Sequence, residues 1–213
     1  MIGAKYIAIE GPIGVGKTSL AKLISEELNG SLICEQVEEN PFLKDFYRDR
    51  KKYSFQTQLY FLLNRYQQQV ELNQCDLFSS AVISDYVFAK DRIFAYMNLD
   101  ENEVNLYEEI YKLLDAKIPK PDLVVFLQAT SEVLIERVKK RNRDYEKEID
   151  YDYLEALMHS YNEFFFHYDE SPLLVINSSE IDFVNNSGDF ELLMKEIREM
   201  RGGVKHLVPL GSR

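Results

Sequence analysis

The run Gly11-Pro12-Ile13-Gly14-Val15-Gly16-Lys17-Thr18 has the spacing GxxxxGK[ST]. It follows a short apolar run and opens a helix-like stretch, which is the context a phosphate cradle needs. Glycines let the backbone turn so that successive N–H groups face phosphate oxygens, and the helix N-terminus adds a favourable dipole. Lys17 supplies a point charge for the outer phosphates, and Thr18 offers a hydroxyl to Mg²⁺. Gly11, Ile13, Gly14, Val15, Gly16, Lys17, Thr18 and Ser19 are the expected nucleotide-binding residues.

A phosphate cradle alone leaves three options: a GTP switch, a motor ATPase or a small-molecule kinase. No NKxD guanine motif is present, and 213 residues is short for a motor. A small kinase needs a base for the acceptor hydroxyl, a carboxylate for Mg²⁺ and an arginine lid. Glu35 ends an apolar run beside the cradle, where a carboxylate can take a proton from an attacking hydroxyl; it reads equally as a surface residue of the acidic stretch Glu35, Glu38, Glu39. Asp85 ends a third run at the same edge and suits a water-bridged Mg²⁺ contact or a structural cap. Arg137, Arg141 and Arg143 cluster after the fourth run. Arg137 and Arg141 share a helix face, and guanidinium groups there can close over a transferring phosphoryl group. The alternative is a solvated basic helix end.

The elements that must position these residues are legible as short apolar runs alternating with long amphipathic stretches. Tyr6–Glu10, Ser31–Glu35, Ala81–Asp85, Leu123–Gln128 and Leu173–Asn177 read as strands. Lys17–Leu28, Ser54–Cys75, Glu103–Ala116, Glu132–Arg141, Tyr151–His167 and Phe190–Met200 read as helices. Such alternation predicts an α/β fold with a five-stranded parallel sheet covered on both faces, the arrangement of a P-loop kinase with an arginine-rich lid. One domain over residues 1–201 is expected, with residues 202–213 as a loose tail.

Composition narrows the partners. Against 36 Asp and Glu there are 25 Lys and Arg, a net charge of −11, which argues against coating nucleic acid. No run approaches membrane-spanning length, and no leader pattern is visible. With only Cys34 and Cys75, neither in a zinc-like spacing, a reduced cytoplasmic setting is expected, with Cys34 in the core.

Four segments together resemble the deoxynucleoside kinases, particularly the bacterial deoxyadenosine/deoxyguanosine type, over roughly Lys5–Ile197. They are the cradle, Glu35–Leu43 (EQVEENPFL), the helix Ser54–Arg65 (SFQTQLYFLLNR) and Lys140–Glu146 (KRNRDYE). The resemblance implies ATP and Mg²⁺, a deoxynucleoside phosphorylated on its 5′-hydroxyl, and a homodimer. It implies that Glu35 is the base, that Gln58 hydrogen-bonds the nucleobase edge in a bidentate manner with support from Arg65, and that Tyr47 and Glu146 hold the sugar. Phe42, Phe61 and Phe94 would line the nucleoside pocket, Asp91 would lie near the base and favour a purine, and Asp182 and Phe183 would sit by the donor adenine.

Two departures stand out. Gln36 replaces the proline usual after the glutamate. More consequentially, Asp85-Tyr86-Val87 lacks the arginine that follows the third strand in the family and contacts the phosphoryl region. Lys90 is the candidate substitute, though it reads equally as an ordinary surface lysine, and Arg92 is a weaker one. The alternatives are a nucleoside monophosphate kinase of the thymidylate kinase kind, which needs extra cations for its acceptor's phosphate, and a nucleotide-binding switch without phosphoryl transfer.

Overall fold

The computed structural model describes residues 6–75, 81–143, 151–179 and 181–208. Six parallel strands form one sheet in the order β2-β3-β1-β4-β5-β6, comprising β1 (Tyr6–Glu10), β2 (Ser31–Ile33), β3 (Val82–Ser84), β4 (Leu123–Gln128), β5 (Leu173–Asn177) and β6 (Val204–Leu207). The helices are α1 (Lys17–Leu28), α2 (Leu43–Arg48), α3 (Arg50–Cys75), α4 (Asp91–Asn98), α5 (Glu101–Asp115), α6 (Ser131–Arg141), α7 (Tyr151–Phe166) and α8 (Ser187–Glu199).

Apolar side chains alternate across the sheet because successive strand residues face opposite ways. Ile7, Ile9, Val125 and Leu127 pack on one face with Leu20 and Ile24 of α1 and Leu193 and Ile197 of α8. Tyr6, Ala8, Val124 and Phe126 pack on the other with Ile93 of α4 and Leu157, Tyr161 and Phe165 of α7. A third cluster, Leu62, Ala95, Tyr107 and Tyr111, joins α3, α4 and α5. Both faces are therefore covered, and the central strands read as unbroken apolar runs.

Two sequence expectations change. The stretch expected as a loose tail contains β6, which pairs with β5 in register from Leu173↔Val204 to Ile176↔Leu207. Val204 and His206 are exposed, so the strand shows half its side chains to water and gives little apolar signal. Strands β2 and β3 are shorter than their apolar runs, so Glu35 and Asp85 lie in the loops after them. Among the described residues, no helix is long and apolar enough to cross a membrane.

The switch between β1 and β3 on one side and β4 on the other opens the crevice at the carboxyl edge where ligands of such sheets bind. Gly11 makes the turn out of β1 with φ +151°. A Cβ there would collide with the Leu127 carbonyl oxygen and lie 2.9 Å from Val15 Cγ1. Gly11→Ala is therefore expected to cost about 3 kcal/mol, or roughly 6–12 °C of melting temperature, in a thermal scan.

Candidate active site

Two cavities meet at the phosphate loop. One, of about 300 Å³, lies between that loop, the β2 and β3 ends, and α3; its wall includes Gly14, Lys17, Thr18, Glu35, Gln58, Arg65, Lys90 and Arg141. The other, of about 720 Å³, runs between the loop, α6 and the turn after β5, and is walled by Gly14–Ser19, Arg137, Lys140, Arg141 and Ile181–Asn185. Gly14, Lys17, Thr18 and Arg141 belong to both. A molecule in each cavity would meet the other at the loop.

The loop itself has the expected form. Gly14 and Gly16 take φ of +85° and +106° and deliver the chain into α1. Lys17 Nζ donates to the Gly11 carbonyl at 2.7 Å and the Pro12 carbonyl at 3.2 Å. The Val15 side chain is buried in the core, so only its backbone faces the loop's concavity. Thr18 Oγ1 donates to Asp85 Oδ2, and Asp85 Oδ1 accepts from the Glu35 amide at 2.8 Å. A hydroxyl and a carboxylate converging beside a phosphate cradle form a hard oxygen set that suits Mg²⁺, an ion that keeps several waters and uses few protein ligands.

On the acceptor side, α3 presents Ser54, Thr57, Gln58, Phe61 and Arg65 to the cavity, the spacing of one helix face. Glu35 is the focus of the charged groups. Its Oε1 accepts from Arg65 Nε at 2.7 Å and also from Arg65 Nη2; its Oε2 accepts from Lys90 Nζ at 2.7 Å. Burial pushes the Glu35 carboxyl up, but the Arg65 and Lys90 charges outweigh it and hold the group well below the usual carboxylate range. The surface reading of Glu35 fails on this geometry.

Lys90 is 3% exposed and enters from the 3₁₀ turn Phe88–Lys90 that precedes α4. Tyr86, at the position where the family's arginine is expected, is fully buried and donates its hydroxyl to Gln68 Oε1 at 2.9 Å, so it does not line the cavity. Arg92 faces elsewhere, pairing with Glu108 at 2.8 Å. Of the two candidate cations, only Lys90 reaches Glu35.

Several expected contacts are indirect. Asp91 is fully buried and does not line the cavity. Its Oδ1 pairs with Arg65; its Oδ2 accepts from Gln58 Nε2 and the Tyr107 hydroxyl, both at 2.7 Å. Its carbonyl accepts from Gln58 Nε2 at 2.8 Å. Asp91 thus acts by fixing Gln58 and Arg65. Gln58 Nε2 makes both of its bonds to Asp91, so the side chain keeps its carbonyl oxygen for a ligand and lacks the free donor that the expected bidentate contact to a nucleobase requires. Phe61, Phe94 and Tyr47 line the cavity, but Phe42 does not; Phe46, one helical turn on, takes that place. Cys34 also lines the cavity rather than the core, because β2 ends before it.

Arg137 donates to the Val15 carbonyl at 3.2 Å and the Ser178 carbonyl at 3.1 Å, tying the phosphate loop to the turn after β5. These two carbonyl contacts make it a strut, and its burial lowers its pKa. Asn142 ends α6 in the left-handed conformation (φ 51°) and turns the chain so that Arg143 follows Arg141 to the cavity mouth. Arg143 Nε stands 3.8 Å from Glu38 Oε1, an exposed pair that holds it weakly. On the donor side, Phe183 packs its ring edge against Gly16, leaving about 3.0 Å for a Cβ there. Asp182 accepts from the Val184 and Asn185 amides at 3.2 and 3.0 Å, so it shapes its own turn. Glu146 lies outside the described residues.

Sequence reasoning passed over Glu10, Thr57, Tyr153 and Tyr161. Glu10 ends the central strand immediately before the cradle and is fully buried. A carboxylate closing an otherwise apolar central strand was its signal, since such a group requires a cation or several donors.

The sequence profile described as deoxynucleoside kinase matches residues 7–201. A deoxyguanosine kinase from Bacillus subtilis (strain 168) is 37% identical over 202 residues, covering 92% of this chain and 98% of that protein. A deoxyadenosine kinase from Dictyostelium discoideum is also 37% identical over 202 residues, covering 92% of this chain and 80% of its own. The deoxyadenosine kinase of M. mycoides, solved with bound dATP, superposes with a TM-score of 0.77 at 30% identity, over 91% of this chain and 98% of that one.

Proposed function

This chain belongs to the deoxynucleoside kinase family, and from that premise we propose that it transfers the γ-phosphoryl group of ATP to the 5′-hydroxyl of a purine deoxynucleoside. It is an enzyme, a kinase. The observation that carries the finer reading is the placement of Glu35 on the acceptor side of the phosphate loop, opposite Lys17 and between Arg65 and Lys90.

In this reading the nucleoside lies with its base against Gln58, Phe61 and Phe94 and its sugar near Tyr47. Glu35 accepts the hydroxyl proton as the oxygen attacks phosphorus. Lys17, Lys90, Arg141 and Arg143 neutralise charge on the equatorial oxygens. Thr18 and Asp85 would hold Mg²⁺, which supplies charge neutralisation between the outer phosphates when bound. The turn of Ile181–Asn185 receives the donor base, with Phe183 beside it.

Against a monophosphate kinase stands Glu35 itself: with the nucleobase at Gln58, an acceptor's 5′-phosphate would fall beside this carboxylate, and the adjoining Arg65 and Lys90 are already paired with it. The purine preference rests on the two similar relatives, one a deoxyguanosine and one a deoxyadenosine kinase. Leu63 of α3 and Leu106 and Leu113 of α5 are exposed apolar residues, which supports a homodimer through these helices. A cytoplasmic setting is part of this proposal and is in keeping with ATP as donor.

The test is ADP release with ATP·Mg²⁺ and each of the four natural deoxynucleosides or deoxyadenosine 5′-monophosphate as acceptor. Deoxyadenosine or deoxyguanosine is expected to give the highest kcat/KM, with the monophosphate at least about 100-fold lower, in keeping with the cost of an unpaired buried charge. Preference for the monophosphate would reverse the assignment.

A further inference from the structure

Glu10 has no role in the mechanism above, yet its carboxylate lies within it. Oε1 accepts from the Gly11 amide at 2.8 Å and from the Tyr161 hydroxyl at 3.2 Å. Oε2 accepts from the Val87 amide at 2.9 Å, and Lys90 Nζ stands 3.8 Å from the same oxygen. Two backbone amides, one from the phosphate loop and one from the turn after β3, fix this carboxylate relative to both. Burial pushes its carboxyl up, and Lys90 and Lys17 draw it back.

Lys90 therefore stands between two carboxylates, bonded to Glu35 and a short step from Glu10. While it stays on Glu35, Oε1 is filled by two donors of Arg65, and Oε2 holds Lys90 with one lone pair left for an acceptor hydroxyl. A carboxylate clasped by two cations is a poor proton acceptor, so proton transfer to Oε2 is eased when the ammonium withdraws. A buried ammonium does not withdraw to an apolar wall, because losing its partner there is strongly unfavourable. It needs a second anion within reach, and a movement of about 1 Å converts the 3.8 Å separation from Glu10 into a hydrogen bond.

We propose that Glu10 is a positioning residue that receives Lys90 when the substrate hydroxyl takes its place on Glu35. The cation then stays at the transfer point while the base is released. This rests on the assignment of Glu35 and Lys90 made above. A lysine is suited to such a transfer. Its ammonium is a compact charge on a flexible stem and can pass between two oxygens, whereas a guanidinium locks into one planar fork.

Glu10→Gln keeps the shape and an acceptor for the Val87 amide but removes the charge. It is expected to lower kcat about 30-fold, with KM for the deoxynucleoside and Kd for ATP within about threefold of the parent. Added to Lys90→Met, it should lower kcat by no more than about twofold, since its effect passes through the lysine. A purely structural Glu10 would lower affinity for both ligands and cost the same in both backgrounds. That result, or a kcat within about threefold of the parent, overturns the proposal. Should Glu10→Gln fail to fold alone, the double variant leaves neither charge stranded; equality with Lys90→Met supports the proposal and a further large loss overturns it. An inactive parent chain would overturn the Glu35 and Lys90 assignment and this role with it, whereas an active parent with an additive double variant overturns Glu10 alone.

Discussion

Glu35→Gln is expected to lower phosphoryl transfer by about 10³-fold while ATP affinity stays within about threefold. The amide fills the same volume, so the cavity keeps its form. What is lost is, among the described residues, the one acidic side chain that the acceptor cavity presents apart from Asp85, whose oxygens go to Thr18 and the Glu35 amide. An amide also leaves Arg65 and Lys90 without their shared counter-charge, so some loss of stability is expected beside the loss of rate. The two effects separate in the measurement: single-turnover rates at saturating nucleoside report the chemistry, calorimetric titration with ATP the donor site, and circular dichroism the fold. Turnover within about fivefold of the parent would remove Glu35 as the base.

The second large effect is at Lys90. Lys90→Met is expected to lower kcat about 100- to 1,000-fold, the range for deleting one preorganised charge at a developing anion, and Arg92→Met to change it by less than about threefold. The contrast follows from burial and partners. Lys90 is enclosed and bonded to the base, while Arg92 is a third exposed and bound to Glu108 and Tyr96 on the outer side of α4. Methionine matches the lysine stem closely enough to keep the packing. Steady-state kinetics on both variants decide the matter, and the reverse ranking would transfer the role to Arg92.

Much of this site is legible in the sequence because its parts are tied to motifs or strand ends. The phosphate loop carries its chemistry in consecutive residues. Glu35 and Asp85 stand out as carboxylates that follow apolar runs, and the parallel topology brings such positions to one edge. The residues that escape notice are those whose meaning lies in partners far along the chain. Glu10 reads as the end of a strand until Val87, Lys90 and Tyr161 are brought to it from 77 to 151 positions away. Asp91 reads as a base contact until Tyr107 of α5 is seen to occupy its second oxygen. Arg137 and Arg141 look alike on a helix wheel, and only the Val15 and Ser178 carbonyls separate the strut from the group at the cavity mouth. Strand β6 is missed for a different reason: an edge strand half open to water needs few apolar residues.

Gln58 and Arg65 lie seven residues apart on α3, about 10 Å along a single rigid rod. In the proposed mechanism one faces the nucleobase and the other clasps Glu35, the proposed base, and Asp91 is bonded to both. Discrimination and speed are therefore mechanically joined in this enzyme. A mutational path toward a new base that tilts or slides the rod will disturb the electrostatics of proton transfer at its other end, so altered selectivity should arrive together with slower catalysis unless a compensating change at Arg65 accompanies it.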